Sequence, residues 1–207
     1  MSERRRLLPE VETAPVLELA AELLTAGGLV VSPTETRYGI FARGDRREVL
    51  EKLYRAKGRD LDKPTALLVG TTGEIDQLGK VNHAAELLIK AFLPGPLTLV
   101  LASRREWFPP AVVAGKIGVR CSSLPFASSL AGALEAPLTA TSANRAGAAD
   151  FETVDEIERE FGDIIDLYID AGPLTGKTST VVDCTGRKPV VLRDGAISRK
   201  RIEAALI

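Results

Sequence analysis

The sequence predicts an α/β domain in which a twisted mixed sheet is flanked by helices. Three observations predict it. Short apolar runs alternate with amphipathic stretches of helical spacing over most of the chain. Several strand-like runs then follow one another near the end, which adds sequential strands to the alternating pattern and makes the sheet mixed. No internal repeat, low-complexity tract or Ser/Gly linker divides the 207 residues, so residues 1–207 are read as a single domain.

Each element has its own signal. Residues 15–26 form a helix: Pro15 suits the first turn, Val16, Leu17, Ala20, Leu23 and Leu24 have helical spacing, and Gly27-Gly28 stop it. Leu29–Ser32 is a strand ended by Pro33, which has no amide hydrogen for the ladder. Asp45 and Glu48 make a capping-box start for a helix with Val49, Leu50, Leu53 and Ala56 on its apolar face, and Gly58 as its stop. Strands are expected at Pro64–Val69, Leu97–Ala102, Ile117–Cys121 and Leu138–Thr141. Helices are expected at residues 83–92 and Pro125–Leu134. Thr153 and Glu156 form a capping box for a helix ending near Phe161-Gly162. Leu167–Asp170, Thr180–Asp183 and Val190–Arg193 are strands, and Ser198 caps a final helix.

The polar residues of interest lie where these strands end. Leu29-Val30-Val31 feeds into Pro33-Thr34-Glu35-Thr36-Arg37-Tyr38-Gly39, which delivers hydroxyls and a carboxylate to a sheet edge. Lys57-Gly58-Arg59 then offers two cations about a glycine. Past a helix end they have freedom to reach, and two apart in an extended segment they would converge on one anion. A cationic pair facing a hydroxyl-rich strand end suggests a phosphate site. Leu138–Thr141 repeats the design by running into Ser142-Ala143-Asn144, although Ser and Asn after a strand are also common turn formers. Arg120 stands alone among apolar neighbours, as a functional or paired arginine does. Gly172-Pro-Leu-Thr-Gly176-Lys177-Thr178 imitates a phosphate-binding P-loop. It has three residues between the glycines instead of four, and a strand instead of a helix follows, so it is not one.

Composition excludes several functions. The apolar runs fall far short of the ~20 residues of a transmembrane helix, and Arg4-Arg5-Arg6 leads only to Leu7-Leu8 before Pro9 and Glu10, unlike a secretory signal. Cys121 and Cys184 stand without CxxC partners, which fits a reducing cytoplasm and leaves no cysteine cage for zinc. His83, the single histidine, reads as a surface residue in the first turn of a helix, so neither a histidine-based metal site nor a Ser-His-Asp triad can be built. The formal net charge of −1 argues against a uniformly basic nucleic-acid binder. Arg4–Arg6 and Arg199-Lys200-Arg201 read first as soluble ends, and only second as aids to nucleic-acid binding.

Taken together, Pro-Thr-Glu-Thr-x-Tyr-Gly, Lys-Gly-Arg, Pro-Gly-Pro-Leu-Thr, Gly-Val-Arg, Ser-Ala-Asn, Ser-Thr-Val-Val-Asp and Leu-Arg-Asp-Gly-Ala-Ile resemble the YrdC family of threonylcarbamoyl-AMP synthases over roughly residues 15–197. The resemblance implies a concave, positively charged face and the short form without an extra C-terminal domain. It implies condensation of L-threonine, bicarbonate and ATP into threonylcarbamoyl-adenylate with release of pyrophosphate, feeding the t6A modification of tRNA. ATP would be a substrate, brought with Mg2+, with no tightly bound cofactor and no metal site built from protein side chains. Lys57, Arg59, Ser142 and Asn144 would be catalytic. Those four, with Lys63 and Arg193, would hold the nucleotide, and Thr34, Thr36, Arg120 and Ser179 the threonine. Candidate partners are tRNA or double-stranded RNA and the downstream threonylcarbamoyl-transfer proteins.

The sequence departs from the family pattern at Arg37, Asp60, Ser122 and Arg145-Ala146, where a small apolar residue, prolines and an apolar-Ser pair are usual. The rivals are an RNA-binding module of the same fold without chemistry, the carbamoyl-transfer domain of hydrogenase-maturation proteins, and an inactive paralogue. The near-neutral charge, the missing zinc cysteines and the retained Lys-x-Arg and Ser-x-Asn pairs weigh against them in turn.

Overall fold

The computed structural model describes residues 2–7, 13–134 and 136–207. Leu8, Pro9 and Glu10, used in reading the N-terminus, lie outside them. The strands, numbered in chain order, fall into two mixed sheets. The first holds β1 (Glu3–Arg6), β2 (Val30–Ser32), β3 (Gly39–Phe41), β10 (Thr141–Ser142) and β11 (Leu167–Asp170), in the order β1-β11-β2-β3-β10. The second holds β4 (Ala66–Val69), β6 (Leu97–Ser103), β8 (Lys116–Cys121), β9 (Leu138–Thr139), β12 (Thr180–Asp183) and β13 (Val190–Arg193), in the order β13-β12-β6-β8-β4-β9. Two short strands, β5 (Gly79–Lys80) and β7 (Val112–Val113), pair with β6 and β8. Parallel pairs, such as β4 with β8 and β6 with β12, sit beside antiparallel ones, such as β6 with β8.

The helices seal these sheets with the faces that periodicity assigns. On α1 (Ala14–Thr25), Val16, Ala20 and Leu24 recur every four residues and pack with Phe126, Ala127 and Leu130 of α5 (Pro125–Gly132) over Val30, Phe41 and Leu167. Val49, Leu53 and Tyr54 of α2 (Arg47–Lys57) join Leu29, Val31, Ile40 and Tyr168. A short α3 (Ile75–Leu78) precedes α4 (His83–Phe92), which covers the second sheet together with α7 (Arg199–Ala204). The last helix before β11, α6 (Val154–Phe161), carries the expected capping box: the Thr153 hydroxyl accepts from the Glu156 amide, and the Glu156 carboxylate accepts from the Thr153 amide at 2.9 Å. Each large side chain so buried contributes about 1.5–3 kcal/mol before conformational entropy is subtracted.

Three expectations need correction. Asp45 does not cap α2. The cap position is Arg46, without a side-chain bond, because the Asp45 carboxylate is gripped by Arg43 through Nε at 2.9 Å and Nη2 at 2.7 Å. A bidentate charged pair outcompetes a single amide, and it holds the Asp45 carboxyl below its ordinary range. Ser198 occupies the cap position of α7 but makes no side-chain cap bond. Leu138–Thr141 is not one strand: β9 pairs with β4 in the second sheet, and β10 pairs with β3 in the first. Between them the chain crosses from sheet to sheet. Thr139, fully buried, fixes the crossing, since its hydroxyl accepts from the Ala42 amide at 3.0 Å and donates to the Ile40 carbonyl at 2.9 Å.

Thr139→Val keeps the shape and removes both bonds, leaving buried backbone groups unpaired. Unfolding by urea should show a loss of about 1–3 kcal/mol with an unchanged m-value.

Candidate functional site

A cavity of about 650 Å³ opens where the two sheets meet. One wall is the turn after β2. The Thr34 hydroxyl donates to the Arg37 carbonyl at 2.7 Å, and its oxygen accepts from the Thr36 amide at 3.2 Å. The two threonine hydroxyls lie 2.9 Å apart, and both residues are buried and line the cavity. Pro33 ends the strand as expected, and the turn that follows presents the hydroxyls.

The opposite wall is built from the end of α2 and the turn after β10. Lys57 is the last residue of α2 and only 2% exposed, not a free loop residue as expected. Its ammonium donates to the carbonyl oxygens of Ser142 and of Asn144, the latter at 2.6 Å. The Ala146 amide donates back to the Lys57 carbonyl at 3.0 Å. Burial, helped by the neighbouring Arg59 charge and opposed by Asp150, pushes the Lys57 pKa down to about 7. Gly58 turns the chain through the left-handed region at φ 59°. Arg59 therefore leaves in another direction, over the Tyr54 ring at 5.4 Å, and donates to the Pro64 carbonyl at 2.9 Å. The two cations belong to a helix terminus, and the alternation of an extended segment does not apply to them. Ser142 donates to the Asn144 side-chain oxygen at 2.5 Å, and Asn144 donates onward to the Ala148 carbonyl at 2.7 Å.

The floor comes from the second sheet. Arg120 of β8 is buried and pairs with Glu35 at 2.5 Å. Arg193 of β13 donates to the Ser179 carbonyl at 2.9 Å and to its hydroxyl at 3.0 Å, while that hydroxyl lies 3.0 Å from Thr98. Burial, then the Arg120 charge, pushes Arg193 below its ordinary value.

The structure thus brings Thr34, Thr36, Arg59, Arg120, Ser142, Ser179 and Arg193 to the lining of one cavity. Lys57 and Asn144 stand directly behind Ser142. Lys63 is exposed beside Pro64 and is not in the wall. The sequence reading missed Thr98, Asp150 and the Lys116–Asp183 ion pair (2.8 Å), all of which line the cavity. Thr98 lies within the Pro-Gly-Pro-Leu-Thr motif and could have been singled out; Asp150 carries no signal. Of the departures from the family pattern, Arg37 donates to the Leu174 carbonyl at 2.9 Å, and Arg145 pairs with Glu160 and reaches the Ala56 carbonyl at 3.4 Å. Among the described residues no group of three His, Cys, Asp or Glu is placed to hold a metal ion.

Such a cavity can hold a polyanion beside Lys57 and Arg59 and a small zwitterion between paired hydroxyls and a guanidinium. It defines an α/β protein whose candidate site straddles two sheets. Residues 22–195 match the Sua5/YciO/YrdC family, described as telomere recombination, and the chain belongs to that family. It is 34% identical to a putative threonylcarbamoyl-AMP synthase of Methanocaldococcus jannaschii over 94% of this chain and 93% of that protein. It is 33% identical to the threonylcarbamoyl-AMP synthase of Bacillus subtilis over 93% of this chain, but spans 57% of that relative. The structure of Pyrococcus abyssi Sua5 complexed with L-threonine superimposes with a TM-score of 0.90 at 31% identity, over all of this chain and 61% of that one. Escherichia coli YciO gives a TM-score of 0.87 at 27% identity, over 98% of this chain and all of its own.

Lys57 has a measurable signature. Its folded pKa lies below its unfolded one, so between about pH 7 and 10 the unfolded chain binds the extra proton and stability rises with pH. In urea titrations at pH 7, 8 and 9 the wild type should gain stability, and Lys57→Met should lack that part of the slope.

Proposed function

We propose that this chain condenses L-threonine, bicarbonate and ATP into threonylcarbamoyl-AMP and pyrophosphate, working as one YrdC-like domain. The observation that carries the reading is the Lys57 ammonium seated on the Ser142 and Asn144 carbonyls, which joins the Lys-x-Arg and Ser-x-Asn motifs at one cavity. The threonine amine and bicarbonate give a carbamate and water. A carbamate oxygen then attacks the α-phosphorus of ATP, and pyrophosphate leaves. Positioning and charge neutralisation carry such a step, with no strong base required, which suits a cavity without histidine.

Two of the three N–H donors of Lys57 are taken by carbonyls, which leaves one for the triphosphate. Arg59 adds the second charge on the departing pyrophosphate, with Lys63 at the rim. Ser142, Asn144 and Arg193 orient the nucleotide. Thr34, Thr36 and Ser179 bound the threonine, whose carboxylate meets Arg120. A magnesium ion would be carried by the phosphates, since of the two carboxylates lining the cavity Asp183 is paired with Lys116 and Asp150 cannot hold one alone. The product would pass to threonylcarbamoyl-transfer proteins for t6A in tRNA. A cytoplasmic location fits this role, and no described helix is long and apolar enough to cross a membrane.

Pyrophosphate release is the test, with ATP and bicarbonate supplied and L-threonine present or absent. Threonine-dependent release should fall by about 100-fold or more in Lys57→Ala and in Ser142→Ala. ATP binding without release, together with salt-sensitive RNA binding, would instead identify an RNA-binding module of this fold.

A further inference from the structure

The chemistry above uses Thr34 and Thr36 and leaves the residue between them without a role. Both threonines line the cavity, whereas Glu35 does not. Its carboxylate is held instead at the end of β8. One oxygen accepts from Nη2 of Arg120 at 2.5 Å, and the other accepts from the Ser122 hydroxyl. The Ser122 oxygen in turn accepts from the Leu124 amide at 3.1 Å, so the hydroxyl is fixed from both sides. Ser122 stands where the family pattern has proline, which could supply neither bond.

Arg120 is engaged unevenly. Nη2 is bound to Glu35, while Nε is buried without a hydrogen-bond partner, in a residue that lines the cavity. A buried donor on a cationic group calls for an explanation, and a ligand that completes it is one. A guanidinium is a flat fork on a flexible stem, so its value to a carboxylate depends on being held at one angle.

We propose that Glu35, itself fixed by Ser122, is a positioning residue: it clamps one edge of the Arg120 guanidinium and so aims the rest at the carboxylate of the amino-acid substrate. The proposal rests on the assignment of Arg120 to that carboxylate. The reach of residue 35, more than its charge, then sets how strongly the site prefers a free α-carboxylate.

The experiment compares binding of L-threonine with L-threoninamide by calorimetry on the full chain. The preference for the acid should vanish in Arg120→Gln. Glu35→Asp keeps the charge but shortens the side chain by one carbon–carbon bond, and should reduce the preference about 10-fold. Glu35→Gln keeps the length and an acceptor for Arg120, and should stay within about threefold of wild type. Ser122→Ala should reduce the preference by about three- to fivefold and serves if Glu35→Asp fails to fold. ATP affinity, which reports an intact fold, should change by less than about twofold in the Glu35 and Ser122 variants. A preference kept by Glu35→Asp and Ser122→Ala but lost in Arg120→Gln overturns this proposal alone. A preference kept by Arg120→Gln, or absent from the wild type, overturns the amino-acid site as well. Loss in Glu35→Gln with retention in Glu35→Asp overturns it in favour of charge compensation.

Discussion

A lysine ammonium taken out of water at the end of a helix is costly unless oxygen atoms surround it, and Lys57 finds two in the carbonyls of Ser142 and Asn144. Much of the rest depends on that contact. It fixes the turn after β10 against the last turn of α2, and the returning bond from the Ala146 amide makes the attachment reciprocal. Elements more than eighty residues apart in sequence thereby become one wall. The depressed pKa is the counterpart of the same burial: the ammonium is held by carbonyl dipoles and not by a paired carboxylate.

The other wall depends on the crossing of the chain between sheets. Residues 138–142 serve β4 first and β3 next, and Thr139 ties the passage to Ile40 and Ala42. Because one continuous segment belongs to both sheets, the gap between them is covalently spanned beside the cavity. The threonine turn after β2, the arginine of β8 and the serine turn after β10 then face one space. No single strand could place them so, since its side chains alternate between faces.

Local signals read well from the sequence. Strands β11, β12 and β13 and helix α4 lie where periodicity puts them, and the Thr153–Glu156 box forms as its spacing implies. The ordered motifs marked about half of the cavity lining as well. What the sequence hid depends on partners far along the chain. Asp45 looks like a cap until Arg43 takes it. Leu138–Thr141 looks like one strand because nothing local says which sheet each half will join. The outward-looking Lys57 becomes a buried residue only when the turn at Ser142 arrives. Glu35 gave no sign of meeting Arg120 and Ser122, because that contact exists only between the two sheets.

The N-terminal arginines form β1, the outer strand of the first sheet, paired on one side with β11. Arg4 reaches Asp155, Glu158 and Asp170, and Arg5 pairs with Glu3, so the run is partly neutralised by its own surroundings. Among the described residues no strand pairs with its other side, and an open strand edge is the kind of border on which proteins stack into fibres. A Glu-Arg-Arg-Arg strand makes a poor template for its own copy, since a second one alongside would set arginine near arginine. The basic run thus disfavours edge-to-edge pairing of β1 with a second copy of itself.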